Sequence, residues 1–91
     1  MTLQSAVYEK WDELHTSREF GQPPEVRRHQ EAKLCEALKL LSESQPDFDI
    51  QSLIGIQASR YGHQSGICVD ISVLVMDCWR TLNSSANCNH I

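Results

Sequence analysis

Apolar residues recur along this chain at the spacing of amphipathic helices, and clusters of turn-forming residues interrupt the recurrence. Leu3, Val7, Trp11 and Leu14 make one stripe over a segment from about Leu3 to Arg18. Thr2 stands ready as its N-cap, and Glu9, Asp12 and Glu13 occupy the other side. Tyr8 and His15 flank the stripe, where an amphipathic ring keeps its polar end in water. Phe20-Gly21-Gln22-Pro23-Pro24 breaks the pattern, because glycine tolerates left-handed backbone and consecutive prolines cannot continue a helical ladder.

A second helix is predicted from Pro24 to about Ser42. Proline suits its first turn, Glu25 complements the positive end of its dipole, and the run is rich in Ala, Leu, Glu and Lys. Val26, Leu34, Ala37, Leu38 and Leu41 form its apolar face; Arg28, Ala32, Glu36 and Lys39 lie opposite. Ser44-Gln45-Pro46-Asp47 ends it, and Asp47 or Asp49 caps a third helix over Ile50–Tyr61. Ile50, Leu53, Ile54, Ala58 and Tyr61 share a side there, with Ile56 off the stripe and Gly62 at the left-handed C-terminal position. The alternation of Ile54, Ile56 and Ala58 keeps a strand open.

The segment from Ile67 to Leu82 carries two conflicting signals. Ile67, Val69, Ile71, Val73 and Val75 alternate and are all β-branched, as in a half-buried strand. The apolar run nevertheless continues through Met76, Cys78, Trp79 and Leu82, far past the usual strand of about five or six residues. A helix here gathers Ile67, Ile71, Leu74, Val75, Cys78 and Leu82 on one face and leaves Val69, Val73 and Met76 on the reverse. Three short helices cover one side of such a segment well, so the other side calls for a second chain. The expected fold is all-α, a compact bundle of about four helices in one domain over residues 1–82, with a tail over 83–91 that is polar enough for mobility and offers Ile91 and Cys88 as anchors against a neighbour. The alternative is α+β, two helices followed by a β-hairpin through His63-Gln64-Ser65-Gly66.

Composition narrows the function. The chain has 91 residues, a formal charge of −4 and 41% apolar residues, which suits one ordinary globular core. The acidic balance weighs against a broad nucleic-acid footprint or an anionic membrane surface. The opening Met1-Thr2-Leu3-Gln4-Ser5 lacks a basic start and an apolar core region, so a cytoplasmic location is expected. In that setting Cys35, Cys68, Cys78 and Cys88 read as free thiols, at least two of them at apolar positions of amphipathic segments.

No catalytic, cofactor or metal site is read from the sequence. His63 and Ser65 lie in a glycine-flanked turn without the glycine spacing of a nucleophile elbow. Cys88-Asn89-His90 is the nearest approach to metal-ligand spacing. Glu9 with Glu13 and Asp47 with Asp49 read as solvated surface and helix capping. The basic cluster Arg27, Arg28, His29 and Lys33 opens the second helix, where a helix-turn-helix protein would meet a major groove. Large aromatics are core centres or interface anchors, and Trp11 and Trp79 read first as core.

The expectation is therefore a small protein-binding regulatory protein, of adaptor, anti-activator or inhibitor type, acting as a homodimer through an apolar helix face. Candidate interface residues are Leu3, Val7, Trp11, Leu14, Val69, Val73, Met76, Trp79 and Arg80. The alternative is a nucleic-acid-binding transcriptional regulator using Arg27, Arg28 and Lys33.

Overall fold

The computed structural model describes residues 2–88, with side chains described through Asn83. Thr2 opens α1 (Leu3–Glu19), its Oγ1 accepting the Ser5 N–H at 3.0 Å. At the far end Gly21 adopts φ 64°, while the Gln22 N–H reaches the Ser17 carbonyl and the Gly21 N–H that of Arg18. This Schellman closure satisfies carbonyls that the end of a helix leaves free.

Pro24 occupies the first turn of α2 (Pro24–Ser44), where its missing N–H costs nothing. This helix runs two residues past the predicted Ser42 and stops ahead of Pro46. Asp49, rather than Asp47, caps α3 (Ile50–Tyr61), accepting both the N–H and the hydroxyl of Ser52. Those bonds favour the ionised form and lower the Asp49 pKa. Gly62 ends α3 at φ 83°, and Ser65 Oγ accepts the Cys68 N–H at 3.2 Å to start α4 (Gly66–Cys88).

The segment with two signals is thus helical throughout, and the hairpin alternative is overturned. Ile71, Val75 and Trp79 lie in the core at four-residue spacing while Val69 and Val73 between them are exposed, a split that a helix produces and that a strand, which sets all five of these residues on one face, does not. Among the described residues there is no strand. Helix α4 also continues through Cys88, so the stretch predicted as a tail from Asn83 begins inside it. The Cys88 side chain and residues 89–91, on which the tail anchors and the Cys88–His90 spacing fall, lie outside the described residues.

One core joins the four helices. Val7, Trp11 and Leu14 of α1 meet Leu34, Leu38 and Leu41 of α2, Ile50 and Leu53 of α3, and Cys68, Ile71, Val75 and Trp79 of α4. Full burial of each large aliphatic contributes on the order of 1.5–3 kcal/mol. Val26, assigned by spacing to the apolar face of α2, is exposed, because it lies two turns before Leu34, at the open end of the helix. Helix α1 packs most extensively on α2, and α4 packs on all three other helices. Arg18 bridges Glu31 at 2.7 Å and Asp70 at 3.8 Å, near the starts of α2 and α4. Ser42 Oγ approaches Asn83 Oδ1 at 3.4 Å near their ends, so α2 and α4 run side by side in the same direction.

Candidate functional site

Two features stand out from this frame: a polar junction between α1 and α3, and an uncovered face of α4. The junction centres on Asp12, which accepts hydrogen bonds from Gln57 Nε2 at 3.1 Å, Arg60 at 3.3 Å and the Tyr61 hydroxyl. Gln57 is fully buried, and its Oε1 accepts from Arg60 at 2.9 Å. Burial, and then the bond to Asp12, push the Tyr61 hydroxyl up to about 12. His15 stacks on the Tyr61 ring and is 4% exposed.

From His15 the network runs on to α4. His15 Nδ1 lies 2.7 Å from Glu19 Oε1, and Nε2 lies 3.5 Å from Ser65 Oγ. Carboxylate, imidazole and serine in this order are the groups of an activated nucleophile. Here, however, the Ser65 hydroxyl already accepts the Cys68 N–H as a helix cap, and the imidazole is covered by Tyr61. The arrangement ties the start of α4 to α1. A surface groove of about 630 Å³ between α1 and α2 shares Asp12 with this junction and brings it and Glu9 and Glu13 together with Lys10, His29 and Lys33.

The reverse face of α4 is the second feature. Val69 is 51% and Val73 56% exposed, and with Met76 and Arg80 they recur at four-, three- and four-residue intervals along one stripe. Ser72 and Asp77 complete the lining of a shallow groove of about 300 Å³ there. Among the described residues no other helix covers this stripe. A second, smaller apolar groove lies between α1 and α2, where Leu3, Ala6, Ala37 and Leu40 line about 240 Å³ with Lys10, Lys33 and Glu36 at its edge.

The sequence-predicted interface residues therefore divide. Val69, Val73, Met76 and Arg80 gather on one outer face, and Leu3 lines the second groove. Val7, Trp11 and Leu14 are fully buried and Trp79 nearly so, all inside the core, which removes them from any surface of the protomer. Trp11 sits there with no hydrogen-bond partner for Nε1 among the described residues, and Trp79 meets Phe48 edge-on at 6.3 Å.

The basic residues do not form one patch. Arg27 and Arg28 share a shallow hollow with Pro24 and Glu31, while Lys33 lies in the separate groove among Glu9, Asp12 and Glu13 and 3.9 Å from Glu36. His63 is exposed, and Ser65 engages His15 rather than His63.

Sequence reasoning missed the junction as a unit. One signal was present: Gln57 continues the stripe of Ile50 and Leu53 at helical spacing, and an amide at a core position needs polar partners. Among the described residues, no group of three or more His, Cys, Asp or Glu is placed to hold a metal ion, and no helix is long and apolar enough to cross a membrane.

Fold and surface together define a class: a small all-helical bundle with one helix face left uncovered. Comparison with protein-family models, with curated proteins and with solved structures finds no match for this chain.

Proposed function

We propose that this chain is a small protein-binding regulatory protein, of adaptor, anti-activator or inhibitor type, that works as a homodimer paired through α4. The observation that carries the reading is the apolar stripe in the first half of a 23-residue helix, formed by exposed Val69 and Val73 and continued by half-buried Met76 at the edge of the core. Stripes at alternating three- and four-residue spacing are the seams along which helices pair.

The charges favour a second copy as the occupant. Asp70 flanks the stripe at its start and Arg80 closes its end. In an antiparallel pair with Val73 opposite Met76 of the second copy, each Arg80 comes beside the other copy's Asp70, so opposite charges meet at both ends. The Leu3–Leu40 groove then remains as apolar surface for the regulated partner, with Lys10, Lys33 and Glu36 at its rim.

The test is solution mass by light scattering under reducing conditions across a tenfold concentration range, for the unaltered chain and for Val73→Asp. A dimer that becomes a folded monomer in Val73→Asp, with unchanged helical circular dichroism, supports the reading. A monomer at every concentration, or a dimer indifferent to Val73→Asp, overturns pairing through α4. Salt-sensitive binding of duplex DNA that Arg27→Glu and Arg28→Glu abolish would favour a nucleic-acid-binding regulator instead.

A further inference from the structure

Helices α2 and α4 run parallel, and two contacts fix their register: Arg18 joins Glu31 to Asp70 at one end, and Ser42 meets Asn83 at the other. In that register Cys35 on α2 comes level with the middle of α4. Glu31, Cys35 and Ser42 lie on one stripe of α2, at four- and seven-residue spacing, and the outer two mark the side that meets α4; Cys78, half-buried on α4, is the thiol next to Cys35 there. Both thiols are free and half-buried, and Cys78 packs at the edge of the core rather than inside it. Cys68, by contrast, is buried and sits three residues into α4, beside the cap formed by Ser65.

We propose that Cys35 and Cys78 form a reversible modification site, closing into an interhelical disulfide between α2 and α4 by exchange with a low-molecular-weight disulfide such as oxidised glutathione. The Cys35 thiolate attacks one sulfur of the small disulfide and releases one small thiol, leaving a mixed disulfide on Cys35. Cys78, as its thiolate, then attacks the Cys35 sulfur, forms the protein disulfide and releases the second small thiol. Two protein thiols are oxidised and one small disulfide is reduced to two thiols, so atoms and electrons balance.

The order of attack follows from the surroundings. Burial, followed by the adjacent Cys35, pushes the Cys78 thiol up to about 12, which disfavours its thiolate and assigns the first attack to Cys35. Once Cys35 carries the mixed disulfide, its thiol no longer stands against ionisation of Cys78. Because the two positions are far apart in sequence, the closed bridge restricts the unfolded chain and raises stability. It does so without touching Val69 or Val73 on the outer face of α4, so the site is independent of the dimer proposed above.

The experiment equilibrates the folded chain in glutathione buffers graded from fully reduced to fully oxidised, quenches with acid and alkylates. Digestion at Lys, Arg and Asp separates Cys68 from Cys78 at Asp70 and Asp77. The expected result is a mass loss of two hydrogens per chain, a peptide pair joining Cys35 to Cys78, and a higher urea midpoint for the oxidised form. Cys35→Ser and Cys78→Ser should each abolish all three while retaining helical circular dichroism. Stable glutathione adducts without closure, a bridge through Cys68 or Cys88, or linkage only between chains would overturn the proposal.

Discussion

His15 lies flat on Tyr61, with ring centroids 3.8 Å apart and planes 11° from parallel, so one aromatic stack joins α1 to the last turn of α3. The Tyr61 hydroxyl continues the contact to Asp12, on the same face of α1 as His15. Tyr61→Phe keeps the stack and removes only the hydroxyl, leaving Asp12 with Gln57 and Arg60. A loss of about 1.5–3 kcal/mol, the usual range for a hydrogen bond to a charged group, is expected in urea unfolding. A double-mutant cycle with Asp12→Asn should return a smaller coupling, because the remaining donors respond to both changes.

The same hydroxyl makes stability fall in alkali. Tyr61 holds its proton up to about 12 in the folded chain, against an ordinary value of 10.0. Its stabilising contribution is therefore complete below pH 10 and disappears as the pH rises through 12. Cys78 acts in the same direction from its ordinary 9.0. Urea midpoints measured from pH 8 to pH 12 should decline, and Tyr61→Phe should flatten the part of the decline above pH 10. An identical slope in Tyr61→Phe would assign the alkaline loss elsewhere.

Two glycines predict opposite signs for the same substitution. Gly21→Ala places a side chain at φ 64°, where left-handed backbone costs roughly 1–2 kcal/mol, although a Cβ there meets no atom within 4 Å. Gly55→Ala, in the interior of α3 and equally open, should stabilise by about 0.5–1 kcal/mol through helix propensity. Thermal midpoints that move in the same direction for both would refute the backbone argument.

Ser65→Ala removes the cap of α4 and the contact to His15 together. A destabilisation of about 1 kcal/mol is expected from the lost cap alone. Ser65→Asp restores an acceptor for the Cys68 N–H and should recover most of it. If the chain instead hydrolyses an activated ester, and Ser65→Ala and His15→Ala both abolish that hydrolysis, then the Glu19–His15–Ser65 series acts chemically rather than as a tie.

Much of the fold was legible because periodicity, caps and breakers agreed. Thr2, Pro24, Asp49 and Gly62 each mark a boundary with a mechanism of their own. The fourth segment was ambiguous because Val and Ile fit a pleated surface and a helix face equally, and only the continuation to Trp79 and Leu82 favoured the helix. Val69 and Val73 were legible as a reverse face. Trp11 as part of an outer stripe was not separable from Trp11 in the core, since one stripe describes both. The polar junction stayed hidden because its members are brought together across more than forty positions by packing, which spacing alone does not encode.

Matching apolar stripes alone do not choose between a helical bundle and its mirror arrangement, because hydrophobic contact has no handedness. Asp12, Gln57 and Tyr61 do choose. Docking α3 on the wrong side of α1 would strand the buried Gln57 amide and leave Asp12 without its three donors. The few polar atoms between α1 and α3 thus serve as an address: they specify where the third helix belongs, while the leucines specify only that it should be inside.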